Sequence, residues 1–281
     1  MKRLGIIGGM SWESTAVYYR YLNQQVKDAK GPLNSAPLLL WNMDFAPIAQ
    51  LQAEGEWDDL SDLMCEAARS LKAGGAEAII IATNTMHLMA DAVQAAADVP
   101  LVHIADATAG AVRGAGVKRP LLLATRFTME KDFYRDRVEH GAACEVVVPE
   151  EPHRTTVHNI IYNELVQGEI KAASRETYLN IIKYYQRERG IDGVIFGCTE
   201  VGMLINQSQI DVPDALSQGL ARGHDGHGPS PAPAGPVAFR GPAHGAVTRH
   251  LVPQVQEGPG TAQVLVLMRG RAGAQPHGRW E

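Results

Sequence analysis

A chain of 281 residues is long enough for two α/β units of ordinary size, each with a core of its own. With 45% hydrophobic residues, 20% charged residues and a formal net charge of -5, it reads as a soluble globular protein. That composition gives no basic surface for nucleic acid and nothing that points to a membrane partner, so a small molecule is the expected partner.

The N-terminal run Met1-Lys2-Arg3-Leu4-Gly5-Ile6-Ile7-Gly8-Gly9 is too short, and too soon interrupted by Trp12-Glu13-Ser14, to be a signal peptide or a membrane span. A cytoplasmic location is expected. Gly5-x-x-Gly8-Gly9 fits neither the dinucleotide fingerprint nor the P-loop, which argues against a nucleotide site. Short apolar runs follow at Leu4 to Ile7, Pro37 to Trp41, Ala78 to Ala82, Leu101 to Ile104, Leu121 to Ala124, Glu145 to Val148 and Gly193 to Phe196, and read as buried parallel strands. Between them, Trp57 to Ala73 and Ile160 to Gln167 have helical spacing. Alternation of this kind predicts an α/β fold with helices flanking parallel sheets, in which ligands sit at the carboxyl ends of the strands.

An internal repeat sharpens that expectation. Gly75-Ala-Glu-Ala-Ile-Ile-Ile-Ala-Thr83-Asn84-Thr85 matches Gly190-Ile-Asp-Gly-Val-Ile-Phe-Gly-Cys198-Thr199-Glu200, position for position, at an offset of 115. Lys2-Arg3 and its apolar strand match Lys118-Arg119 and Leu121 to Ala124 at an offset of 116. The predicted organisation is two pseudo-symmetric domains, 1–107 and 108–213, with the site in the cleft between them. Residues 214–281 break the repeat, because Val212-Pro213 leads into no strand where Val99-Pro100 does. This tail is rich in Gly, Pro, Ala and His, with no Ile after Ile210, no Asn after Asn206, no Tyr after Tyr185 and no Lys after Lys183. The absent types have AT-rich codons. It reads as out-of-frame translation of a GC-rich gene, with a natural disordered extension as the alternative; neither packs as a domain.

Two strand ends carry the candidate chemistry. Thr83-Asn84-Thr85-Met86-His87 offers hydroxyls, an amide and backbone donors suited to a carboxylate ligand, or else an ordinary helix N-cap. Cys198-Thr199-Glu200 repeats the arrangement with a thiol. A helix start would lower that thiol's pKa; the alternative is a cysteine that serves only as a small buried hydrophobe. Strand ends facing one another would present one group to each side of a substrate, as proton removal from one face of a carbon and return on the other requires. Cys198 suits the base and Thr83 a weaker donor or relay. Cys65, Cys144 and Cys198 have no CxxC spacing, so neither a disulfide framework nor a zinc site is indicated. His87 and His103 read as hydrogen-bonded supports.

Gly5-Ile-Ile-Gly8-Gly9-Met10-Ser11-Trp12-Glu13-Ser14-Thr15, the segment Ala82 to His87, His103-Ile104-Ala105-Asp106-Ala107-Thr108, Thr125-Arg126-Phe127-Thr128-Met129 and Phe196-Gly197-Cys198-Thr199-Glu200 together resemble the aspartate/glutamate racemase family, over residue 1 to about Pro213. The chain is most similar to the branch with Thr in the first catalytic motif. The resemblance implies an amino-acid racemase that uses no pyridoxal phosphate, other cofactor or metal, with Thr83 and Cys198 as its proton-transferring pair and a homodimer as the usual assembly. It further implies substrate contacts at Met10, Gln52, Asn84, Thr85, Thr125, Thr199 and Glu200, and a carboxylate contact at Lys171, which otherwise reads as a solvated charge. The competing functions are isomerisation or decarboxylation of another small carboxylic acid on the same fold, and non-catalytic binding of an acidic metabolite. Family members continue past Val-Pro with a short strand and a last helix. Their absence from the sequence predicts an uncovered apolar face, costing about 25 cal/mol for each Å² left in water, and a weakened cleft.

Overall fold

The computed structural model describes residues 1–205 and 207–210. Its regular elements, in chain order, are β1 (Leu4–Gly8), α1 (Trp12–Lys30), β2 (Leu38–Asn42), α2 (Phe45–Glu54), α3 (Trp57–Ala73), β3 (Ala78–Ile81), α4 (Ala90–Ala97) and α5 (Ile104–Ala115). They continue as β4 (Pro120–Ala124), α6 (Arg126–Glu130), α7 (Asp132–Ala142), α8 (His153–Asn163), α9 (Ala172–Arg189), β5 (Gly193–Gly197) and α10 (Val201–Leu204). Short 3₁₀ turns occupy Thr85–Met89, Leu165–Gln167 and Gln207–Gln209. Among the described residues no helix is long and apolar enough to cross a membrane. The expectations for 214–281 lie outside the described residues.

Two parallel sheets result, one ordered β2-β1-β3 and the other pairing β4 with β5. The apolar runs of β1, β3, β4 and β5 are continuous because both strand faces are covered, whereas β2, also expected to be buried, is an edge strand with Leu40 and Trp41 exposed. Ile7, Ile79 and Ile81 pack with Leu60, Met64 and Leu71 of α3. Their neighbours Ile6, Ile80 and Ala82 point the other way, into a core shared with Tyr18, Tyr21, Leu121, Leu123 and Phe196. One core therefore runs from the first sheet into the second. Helix α3 reaches the sheet because Leu60, Met64, Ala67, Ala68 and Leu71 fall on one helical stripe, and Asp58 and Asp59 complement its N-terminal dipole.

The repeat has a structural counterpart in how each unit is fastened. The Arg3 backbone N–H donates to Glu77 at 2.8 Å, and the Arg119 backbone N–H donates to Asp192 at 2.7 Å, at the same offset as the sequence match. Gly75 and Gly190 both take positive φ where helix gives way to strand. The expected division between residues 107 and 108 falls inside α5, so the chain passes between the units as a helix, with no linker.

Two expected strands and one helix take other forms. Leu101 makes a single parallel bridge to Ile79, after which His103 caps α5 and the chain is helical from Ile104. Val147 makes a single bridge to Leu121; the Glu139 carboxylate takes the Val146 N–H, and Pro149 removes the next donor that a longer ladder needs. The helical run expected over Ile160 to Gln167 is interrupted at Glu164, which leaves helical geometry between α8 and the 3₁₀ turn.

Candidate active site

Strand β5 is buried along its whole length and releases Cys198, Thr199 and Glu200 at its carboxyl end. Glu200 is only 3% exposed and its carboxylate accepts four hydrogen bonds. Oε1 receives Ser11 Oγ at 2.7 Å and Ser14 Oγ at 2.5 Å. Oε2 receives Thr199 Oγ1 at 2.7 Å and Cys198 Sγ at 2.9 Å. Ser14 Oγ also touches Thr199 Oγ1. Donors from the N-cap and first turn of α1 thus close on a carboxylate presented by the turn after β5, which ties the two units together where their strands end. Gly9 permits the turn after β1: its φ is +89°, and a Cβ there would lie 2.1 Å from the Met43 carbonyl oxygen.

The Cys198 thiol is held well above the ordinary cysteine range, first by burial and then by the neighbouring Glu200 carboxylate. This is opposite in sign to the lowering expected from a helix start. Helix α10 spans only four residues, and a carboxylate 2.9 Å from the sulfur outweighs its dipole. Cys198 rests as a thiol that donates to a carboxylate.

At the end of β3, Thr83 is half-buried, while Asn84 is buried with neither amide atom hydrogen-bonded among the described residues. A buried amide with no partner is costly, and its two ends suit the oxygens and amine of an amino acid. Thr85 Oγ1 lies 2.9 Å from Thr125 Oγ1 and 3.3 Å from Thr128 Oγ1, a second tie between the units. The expected support role of His87 has a definite geometry: its Nδ1 meets the Thr83 carbonyl at 2.8 Å, and its Nε2 accepts the Ile104 N–H at 3.2 Å. That pair of contacts fixes a neutral ring with the proton on Nδ1. Burial, with the nearby His103, pushes its pKa down to about 3; burial and Arg137 push His103 down to about 4.

The third tie joins Gln52 of α2 to Tyr162 of α8. Tyr162 Oη donates to Gln52 Oε1 at 2.6 Å, and Gln52 Nε2 reaches Met86 Sδ at 3.2 Å. Aromatic rings continue the contact outward: Trp57 meets Phe127 edge-on at 5.2 Å, and Phe127 meets His158 at 5.9 Å. Met10 is buried beside the β1 turn. A recess of about 540 Å³ opens against that turn, lined by Gly9, Ser11, Trp12, Asn42, Phe45 and Val166 among others. A larger one, about 720 Å³, lies on the outer face of α1 and β2, and neither recess is lined by Thr83, Asn84 or Cys198.

Of the residues singled out in the sequence, the three ties bring together Gln52, Thr85, Thr125, Thr199 and Glu200, with Cys198 on the Glu200 carboxylate. Lys171 is exposed and pairs with Glu169 at 2.8 Å and Glu164 at 3.6 Å. Ser11, Ser14, Thr128 and Tyr162 carry no individual signal in the sequence: the first three lie inside longer motifs, and Tyr162 sits in a helix and becomes visible only through its bond to Gln52.

The Asp/Glu/Hydantoin racemase family model matches residues 7–219. The chain belongs to this family. A crystal structure of a provisionally assigned Asp/Glu racemase from Yersinia pestis shares 46% identity over 80% of this chain and 99% of its own, with a TM-score of 0.70. The structure of an aspartate racemase homologue from Pyrococcus horikoshii shares 35% identity over 79% of this chain and 97% of its own, at a TM-score of 0.65. The aspartate racemase of Picrophilus torridus, at 21% identity and a TM-score of 0.61, shares the fold over 79% of this chain and 95% of its own. The matched residues include Thr83 and Cys198.

Proposed function

We propose that this chain racemises an acidic amino acid, glutamate or aspartate, by proton transfer on opposite faces of the α-carbon, with Cys198 serving one face and Thr83 the other. The observation that carries the reading is the Cys198–Glu200 pair, a thiol donating at 2.9 Å to a buried carboxylate that already joins the two units. In this scheme Cys198 transfers its proton to Glu200 and accepts the substrate's α-proton as thiolate; in the reverse direction it delivers that proton and recovers the one held by Glu200. Thr83, half-buried at the matching strand end, delivers or removes the proton on the other face. Asn84, with its free amide, holds the α-carboxylate or amine, and Thr85 and Thr125 line the same wall. Side chains alone carry the protons.

Incubation with L-glutamate and L-aspartate in deuterated water tests the proposal. Deuterium at the α-carbon with inversion is the expected result, and Cys198→Ala abolishes it. Exchange that survives in Cys198→Ala would remove the central assignment, and no exchange in the parent chain would favour another carboxylic acid or a binding role.

A further inference from the structure

A diacid that binds through its α-amino acid end places a second carboxylate two or three bonds farther out, and that charge needs a cation that is not already committed. Among the described residues around the strand ends, most cations have partners. Lys171 is taken by Glu169 and Glu164. Arg137 binds Asp106 through both Nε and Nη2. Arg154 lies between Glu130 and Glu151, and Arg175 Nε donates to the Leu204 carbonyl. Lys131 sits 4.6 Å over the Trp57 ring.

Arg126, like Lys131, has a ring and no carboxylate as its partner among the described residues, and of the two it alone follows a strand end directly. It follows Thr125 directly at the end of β4, and its backbone N–H donates to His158 Nδ1 at 3.2 Å. Its guanidinium lies 5.7 Å from the centre of the Phe127 ring, with no carboxylate partner among the described residues. Phe127 packs in turn on Trp57, His158 and Tyr162, so the fork is carried on the aromatic wall that lines the Gln52–Tyr162 tie. The Tyr162 ring lies 6.4 Å from the Phe127 ring and its hydroxyl donates to Gln52, so the rings connect the guanidinium to the third tie. We propose that Arg126 reads the distal carboxylate of the ligand and thereby sets the preference for acidic over neutral side chains. A planar fork presented on a ring matches a carboxylate in a way that an ion-paired lysine does not.

This assignment rests on the racemase reading for its kinetic form, but not for its binding form. Glutarate and pentanoate have the same length and differ in one carboxylate, and neither has an α-amino group to turn over. Titration calorimetry of the parent chain, Arg126→Gln and Arg126→Lys with each ligand is the first arm. In Arg126→Gln, glutarate affinity is expected to fall about 10- to 100-fold while pentanoate affinity is kept, with Arg126→Lys between. The second arm compares α-deuterium exchange of glutamate and glutamine, where the glutamate-to-glutamine ratio of kcat/KM falls by a similar factor and the loss falls mainly on KM. Equal losses for glutarate and pentanoate, or no loss for either, would overturn the role of Arg126. Selective loss of glutarate binding in a chain that exchanges no amino acid would keep Arg126 as the carboxylate reader and overturn the racemase reading instead.

Discussion

Replacing Glu200 by Gln separates the two things its carboxylate does to Cys198: it opposes a thiolate, and it accepts the thiol's proton. Oε2 lies 2.9 Å from Sγ. At an effective dielectric constant of about 20, two unit charges at that separation repel by roughly 6 kcal/mol. Even a third of that, about 2 kcal/mol, makes the thiolate fraction at fixed pH roughly 25-fold larger. The Cys198 pKa is therefore expected to fall in Glu200→Gln, because the carboxylate stands among the causes that raise it. Racemisation is nevertheless expected to fall, by about 10²- to 10⁴-fold, since an amide cannot take the proton. The assay is ultraviolet thiolate absorbance against pH, read as the difference from Cys198→Ala so that Cys65 and Cys144 cancel, alongside α-deuterium exchange. An unchanged or raised thiol pKa would refute the electrostatic argument. A lowered pKa with full racemisation would refute Glu200 as the proton carrier.

Two further outcomes follow from the neighbouring groups. Thr83→Ala should retain α-exchange from the enantiomer that faces Cys198 and lose inversion, seen as deuterium incorporation without change of optical rotation; full inversion would remove Thr83 from the mechanism. His87 and His103 make folding stability fall in acid. Their folded values, about 3 and about 4, lie below the ordinary histidine value, so below about pH 6.5 the unfolded chain binds protons that the folded one refuses. The stabilisation is complete above that pH and is lost as pH falls toward the folded values. Between pH 6.5 and 5 each ring contributes a loss of up to about 2 kcal/mol. Urea unfolding at pH 7 and pH 5 reads this directly, and His87→Asn should reduce the slope; a slope unchanged by that substitution would refute the account.

The strands that carry the site were legible because burial on both faces leaves a continuous apolar run, as at Ile79 to Ile81 and Val194 to Phe196. Edge segments were not. Leu101 and Val147 have strand-like composition but one bridge each, and the outcome is decided by a cap at His103 and a side-chain bond from Glu139, neither of which has a periodic signature. At the candidate site, the repeat pairs Thr83 with Cys198, but a helix start taken alone predicts a lowered thiol pKa, and nothing local in the sequence marks Glu200 as a carboxylate lying against the sulfur. Only the fold shows that four donors, two of them from residues 189 and 186 positions away, converge on that carboxylate. Lys171 is a carboxylate contact only by the resemblance and otherwise reads as a solvated charge; its two carboxylate partners are visible only in three dimensions.

The same repeat explains why the two halves of the site are unequal. At an offset of 115, Cys198 corresponds to Thr83, Thr199 to Asn84 and Glu200 to Thr85. The cross-links are related similarly, at an offset of 114: Ser11 and Ser14 after β1 reach Glu200, and Thr125 and Thr128 after β4 reach Thr85. Each half thus receives hydroxyls from the other, but one set closes on a carboxylate and the other on a third hydroxyl. A carboxylate accepts a proton outright, whereas a chain of threonines only relays one. The unlike partners at the middle position fit that division, since Thr199 is engaged with Glu200 while the Asn84 amide is left for a ligand. Under the proposed racemisation, the two enantiomers have equal free energy, so this asymmetry cannot appear in the ratio of their kcat/KM values. It is confined to kcat and KM taken separately, where the slower transfer at Thr83 sets the form of the enzyme that accumulates.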